Sequence, residues 1–200
     1  VGCGVGHYLY SLQTHSKINF SYTGLDNTPY FIKLANKAYK GQKNVTFNEG
    51  DLYNLPYEDK SFDVVMCNNV FLHLPSIERP LSELIRVCRR FLLIRTLVGN
   101  RSFIIKDVHD RSGDDFTEEG EPHAYHLFNI FSKDYFLFLL KKKNVQKFEI
   151  VEDRDFDPHK ISFGKSDYKD QSATDLTTMI GDVQANGYIL QPWAYIRINL

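Results

Sequence analysis

Hydrophobic positions in the first hundred residues switch repeatedly between the period of a strand and that of a helix. Tyr8, Leu9 and Leu12 share one face of a short helix. Phe20 to Leu25 alternates, predicting a strand that ends at Asp26. Thr28-Pro29 suits a helix start, with Thr28 as cap and Pro29 in the first turn. Phe31, Leu34, Ala35 and Ala38 form that helix's apolar stripe, and Gly41 ends it. Val45-Thr46-Phe47 predicts a short strand running into Gly50-Asp51. The nearly continuous apolar run Phe62 to Cys67 reads as a strand covered on both faces. A helix from Ser76 to about Cys88 follows, with Pro80 in its first turn, then a buried strand at Phe91 to Ile94. This alternation predicts an α/β fold with a parallel sheet and right-handed crossovers.

The pattern changes near Gly99. Residues 99 to 131 are polar and rich in Asp and His. Ser132 is placed to cap an apolar helix through Leu140, and Phe148 to Val151 and Trp193 to Ile198 read as two late strands. Asn186-Gly187 is a hairpin-turn signal within the long segment 152 to 192. The two irregular stretches are expected to be substrate-side insertions in a single domain of 1–200.

With 200 residues and a formal net charge of −1, the chain offers no electrostatic reason to expect nucleic acid or an anionic membrane as partner. Lys141-Lys142-Lys143 closes a predicted helix, where cations meet the negative end of its dipole. Cys3, Cys67 and Cys88 are widely spaced, which argues against disulfides and zinc and for buried thiols in a reducing compartment. No apolar run approaches the ~20 residues of a membrane span, and the expected location is cytoplasmic.

Chemistry concentrates where strands are expected to end. Gly2, Gly4 and Gly6 make a G-x-G-x-G turn that opens a helix, letting a ligand approach the backbone closely. Asp26 lies about twenty residues on, where an acid can accept bonds from both ribose hydroxyls. Asp51 ends the next strand, and Asn68-Asn69-Val70 the one after. In a parallel sheet these ends line one crevice. The nicotinamide fingerprint G-x-G-x-x-G fails, because its last glycine falls on His7 when counted from Gly2 and on Leu9 when counted from Gly4.

Val1 to about Leu97 resembles class I S-adenosylmethionine-dependent methyltransferases, particularly the quinone-biosynthesis branch. The resemblance rests on Val1-Gly2-Cys3-Gly4-Val5-Gly6, Gly24-Leu25-Asp26, Gly50-Asp51 with Leu55-Pro56-Tyr57, Ser61-Phe62-Asp63-Val64-Val65, Leu72-His73 and Glu83 with Arg86-Val87. It implies a Rossmann-like doubly wound, mostly parallel sheet with a late antiparallel strand, and S-adenosylmethionine as cofactor. Gly2, Cys3, Gly4 and Gly6 would pass the methionine part, Asp26 the ribose and Asp51 the adenine amino group. Leu52 and Asn27 would flank the adenine, with Asn68 and Asn69 near the sulfonium.

The first core strand of that fold is expected upstream of Val1, between the second and fourth strands. The usual Lys-Pro-Gly-Gly turn before the fifth strand is replaced by Cys88-Arg89-Arg90-Phe91. The expected partner is a small-molecule acceptor methylated at O, N or C. His73 is the candidate base, and His7, His123 and Tyr125 are candidate acceptor contacts. Tyr125, Phe128, Tyr188 and Trp193 suggest a partly apolar acceptor. Two rivals are another enzyme on the same scaffold, such as an aminopropyl transferase or reductase, and a non-catalytic binding protein.

Overall fold

A computed structural model describes residues 1–110, 112–154, 178–180, 183–186 and 189–200. The glycine turn feeds α1 (His7–His15), followed by β1 (Tyr22–Asp26), α2 (Pro29–Ala38) and β2 (Val45–Glu49). Next come β3 (Phe62–Asn68), a 3-10 turn (Phe71–His73), α3 (Glu78–Val87) and β4 (Cys88–Gly99). The later part holds β5 (Lys106–Val108), β6 (Tyr125–Leu127), β7 (Phe131–Ser132), α4 (Lys133–Lys142) and β8 (Lys147–Glu152). It ends with β9 (Thr178–Ile180), β10 (Val183–Asn186), β11 (Ile189–Gln191) and β12 (Trp193–Asn199).

The strands through β4 pair in parallel, β1 with β2 and β3 with β4. β12 then inserts antiparallel between β4 and β8, giving the order β3-β4-β12-β8 with β7 alongside β4. The core beneath this sheet joins Leu81, Leu84 and Val87 of α3 to Leu92, Ile94, Ile196, Phe136 and Leu140. A smaller core, with Leu9, Ile32, Ala35 and Phe47, supports β1 and β2. These two sheets are separate. The facing sides of β1 and β3 are not hydrogen-bonded to each other, and a cavity of about 320 Å³ lined by Cys3, Tyr22, Leu25, Val65, Met66 and Asn68 lies between them.

Three local expectations need correction. The stripe of α2 is rotated by about one residue: Ile32 and Ala35 are buried, whereas Phe31 is 40 % exposed and Ala38 is exposed. Thr28 precedes α2 but makes no side-chain cap; its hydroxyl donates to Asn27 Oδ1 at 3.3 Å and its backbone N–H to the Asp26 carboxylate at 3.0 Å. β3 is covered on both faces only toward its end. Val64, near its start, is 54 % exposed and borders the cavity.

Other local expectations match. The Ser132 hydroxyl accepts the Tyr135 N–H at 3.1 Å and caps α4. All three cysteines are free and buried. Lys142 and Lys143, at the end of α4, lie 2.7 and 3.8 Å from Glu78. Asn186 pairs with Ile189 across an antiparallel hairpin, while Gly187 and Tyr188 lie outside the described residues. Segment 99–131, read as irregular, instead contains the antiparallel pair β5–β6, whose residues are mostly exposed.

Candidate functional site

The glycine turn is drawn tight by its own backbone, with the Gly6 N–H donated to the Cys3 carbonyl at 3.0 Å. Gly2, Gly4 and Gly6 all have positive φ, at 66°, 52° and 94°. A side chain at Gly2 would strike Val70, and one at Gly6 would strike the Tyr39 ring. At Gly4 a Cβ would meet nothing within 4 Å, so the turn is open there to an approaching molecule.

Asp26 joins this turn to the sheet. One carboxylate oxygen accepts the Gly4 N–H at 2.8 Å and the other the Thr28 N–H at 3.0 Å. Its backbone carbonyl accepts the Gly50 N–H at 3.0 Å, which brings the end of β2 alongside. Each carboxylate oxygen keeps a second lone pair for a further donor. Asp51 is exposed and accepts the Tyr53 N–H at 2.8 Å, Leu52 is buried, and Asn27 is exposed. Cys3 is buried within the turn, and burial pushes its thiol pKa up to about 11. It is a packing thiol, not a nucleophile.

At the end of β3, Asn68 is 6 % exposed and its Oδ1 has no hydrogen-bond partner. A buried polar atom of this kind is uncommon and invites a ligand donor or water. Asn69 has a left-handed φ of 60°, a conformation asparagine tolerates better than most residues. Its Nδ2 donates to the Tyr8 hydroxyl at 3.3 Å. Tyr8 faces the same end of the molecule from the first turn of α1, and burial holds its phenol above the ordinary range. It is therefore a neutral hydroxyl at physiological pH.

His73 ends the 3-10 turn. Its Nδ1 donates to the Leu127 carbonyl at 2.8 Å, and the ring packs against Phe128. That bond leaves Nε2 as the basic nitrogen of the neutral ring. His123 and Tyr125 are exposed on or beside β6, the same hairpin, with the Lys106 ammonium 4.5 Å from the centre of the Tyr125 ring. His7 is exposed at the start of α1. The His109 and His126 rings lie 4.6 Å apart, tilted by 54°, and His159 lies outside the described residues. Among the described residues no cluster of His, Cys, Asp and Glu is arranged for a metal.

The structure thus joins the glycine turn, Asp26 and the ends of β2 and β3, while the segment bearing His123 and Tyr125 meets the 3-10 turn after β3 through His73–Leu127 and Asn129. It also holds polar residues that pattern reading misses. Arg95 of β4 donates to Asp153 at 2.7 Å and to Asn69 Oδ1 at 2.6 Å, its guanidinium 4.0 Å from the centre of the Trp193 ring. One signal was available: a lone arginine within the apolar run from Phe91 to Leu97. Asn129, fully buried, accepts the Ile105 N–H and donates to the Leu74 carbonyl, tying the later segment to the 3-10 turn.

Residues 1–91 match the sequence family described as a methyltransferase domain. The demethylmenaquinone methyltransferase of Lactobacillus johnsonii is 31 % identical over 90 residues, covering 44 % of this chain and 37 % of that protein. The sterol 24-C-methyltransferase of Schizosaccharomyces pombe is 33 % identical over 116 residues, covering 56 % of this chain and 29 % of its own length. The chain therefore spans about a third of the length of these curated relatives. A S-adenosylmethionine-dependent methyltransferase structure from Methanosarcina mazei superposes with a TM-score of 0.60 at 16 % identity, covering 99 % of this chain and 88 % of that one. Residues 1–91 match the methyltransferase-domain family, and the chain has the fold of the class I S-adenosylmethionine-dependent methyltransferases, which implies S-adenosylmethionine as cofactor.

Proposed function

We propose that this chain binds S-adenosylmethionine at the carboxyl ends of β1, β2 and β3 and transfers its methyl group to an O, N or C atom of a small, partly apolar molecule. The observation that carries this reading is the Gly4–Asp26 hydrogen bond of 2.8 Å, which sets an open glycine turn beside a carboxylate with lone pairs to spare. The unpartnered Asn68 Oδ1, buried at the end of β3, is a second acceptor that this reading would use.

In this reading Gly2, Cys3, Gly4 and Gly6 pass the methionine part, and Asp26 accepts from the ribose hydroxyls. Asp51 holds the adenine amino group, Leu52 and Asn27 flank the ring, and Asn68 and Asn69 sit toward the sulfonium. The bound cofactor supplies a methyl carbon already activated by positive sulfur, so the protein's work is alignment and exclusion of water. A base is needed only for an acceptor that keeps its proton at neutral pH. In this reading His73 Nε2 would serve as that base, and His7, His123 and Tyr125 would contact the acceptor. Exposed Phe103, Ile104 and Tyr125 in the segment after β4 favour an acceptor with apolar surface. The sterol and menaquinone named for two relatives fit that class.

Calorimetric titration with S-adenosylmethionine and S-adenosylhomocysteine tests the proposal. Micromolar binding is expected. Asp26→Ala should weaken it roughly 10- to 100-fold, the scale of one or two lost charge-assisted bonds. Unchanged affinity would relocate the ribose contact. No binding of either compound would remove the methyltransferase reading and favour a non-catalytic partner-binding role.

A further inference from the structure

The polar chain that ends at the proposed cofactor site begins at the far edge of the sheet. Asp153 follows β8, and its backbone N–H is donated to the Trp193 carbonyl at 2.8 Å. Its carboxylate receives the Arg95 guanidinium at 2.7 Å, with side-chain exposures of 9 % and 15 % for acid and base. The indole of Trp193 lies against the guanidinium, 4.0 Å from its ring centre, so the cation is fixed on two sides. From there Nη1 reaches Asn69 Oδ1 at 2.6 Å, while the Arg95 carbonyl accepts the Asn69 N–H at 2.8 Å. Asn69 is therefore held by both the backbone and the side chain of one residue, in the left-handed conformation that ends β3.

Beyond Asn69 the chain continues to Tyr8, 3.3 Å from Asn69 Nδ2, on the helix that leaves the glycine turn. Four elements are joined in sequence: the end of β8, β4, the turn after β3, and α1. Only the last two border the proposed cofactor site. Arg95 meets Asp153 through Nε and Nη2 and Asn69 through Nη1, so its charge is already paired within the protein.

We propose that Arg95 is a positioning residue for the cofactor site, acting through Asn69 to fix the turn after β3 against Tyr8 and the glycine-turn helix. This rests on the cofactor assignment above. The guanidinium suits the task because its planar fork binds a carboxylate and an amide oxygen at once, which a lysine ammonium at the same place does not span.

The test measures S-adenosylhomocysteine affinity by calorimetry and melting temperature in parallel, on the full chain. Arg95→Met is expected to weaken binding about tenfold. In an Asn69→Gly background, where glycine adopts positive φ without help, the same change is expected to cost less than twofold. Arg95→Lys covers the case in which Arg95→Met does not fold. It keeps a cation against Asp153 and Trp193, and is expected to melt near the parent yet bind as weakly as Arg95→Met. Parent-like affinity in Arg95→Lys, or an equal loss from Arg95→Met in both Asn69 backgrounds, would overturn the proposal and leave Arg95 a sheet clamp. A parent chain that binds no S-adenosylhomocysteine would overturn the cofactor assignment, and this role with it.

Discussion

At Gly2 two separate penalties would meet any side chain. The backbone φ of 66° is the left-handed region, which costs an L-residue roughly 1–2 kcal/mol. A Cβ there would also lie 2.2 Å from a Val70 methyl carbon, an overlap that forces movement. Gly2→Ala is expected to lower unfolding stability by more than the conformational cost alone. Val70→Ala in the same chain should then return part of the loss, because it removes the overlapping carbon and leaves only the strained φ. A double-mutant cycle in urea checks this. Additivity within about 0.5 kcal/mol would mean that the turn shifts freely and the contact is not restrictive. Since Val70 follows the asparagines at the end of β3, the same contact makes the glycine turn sensitive to that strand's position.

Between elements, one ion pair organises the loop after β2. Arg86 and Glu83, one turn apart on α3, are joined at 2.7 Å, and both reach into that loop. Glu83 accepts the Leu55 N–H at 2.9 Å, while Arg86 donates to the Leu55 and Tyr57 carbonyls and to Asp59. The Arg86 hydrogen bond, aided by the Leu55 N–H, holds the Glu83 carboxyl below its ordinary range despite opposing desolvation. A carboxyl with a depressed folded pKa contributes stability above its unfolded value, about 4.3, and loses it as pH falls through the folded value. The melting temperature should therefore drop on the acid side of about pH 4.3. Glu83→Gln should melt lower at neutral pH and show a shallower acid-side drop. The drop should not vanish, since Glu78 is also held low, by Lys142. Parallel pH curves for parent and variant would discount the pair.

Elements such as α2, β3 and α4 were legible because each carries its own period and end signals. The stripe of α2 was misread by one position because Phe31 is apolar yet faces outward, and only packing on Phe47 and Tyr39 selects Ile32 and Ala35. β5 and β6 carry little alternation, since their backbones pair while their side chains stay exposed. The Gly4–Asp26 contact could be anticipated because both residues sit at ends that a parallel sheet brings together. The Asp153–Arg95–Asn69–Tyr8 chain could not. Its members come from four elements, and long-range pairing of polar side chains leaves no periodic trace.

Across the described residues, the β1–β2 pair is separate from the central sheet, and stability is expected to be uneven between them. β4 and β12 are paired on both sides and contribute the fully buried Leu92, Ile94, Ile196 and Ile198. Among the described residues β1 and β2 pair only with each other, and they rest on the smaller core around Leu9, Ile32, Ala35 and Phe47. Their links to the rest include the turn bonds Cys3–Leu25 at 3.1 Å and Gly4–Asp26 at 2.8 Å, and packing of Leu25 against the larger core. A unit of this kind opens at a lower free energy than the sheet beside it. Native-state hydrogen exchange should therefore find the amides of Tyr22 to Asp26 and Val45 to Glu49 less protected than those of β4 and β12. A ligand that touches Asp26 on one sheet and Asn68 on the other binds only when the two are docked, so it raises the cost of separating them. S-adenosylhomocysteine at a hundred times its dissociation constant should then raise the opening free energy of β1 and β2 by up to about 2.7 kcal/mol. If protection is already uniform without ligand, the β1–β2 pair and the central sheet open as one unit. If β1 and β2 are weak but the ligand leaves them unchanged, it does not bridge the sheets, and the contacts assigned to Asp26 and Asn68 belong to different molecules.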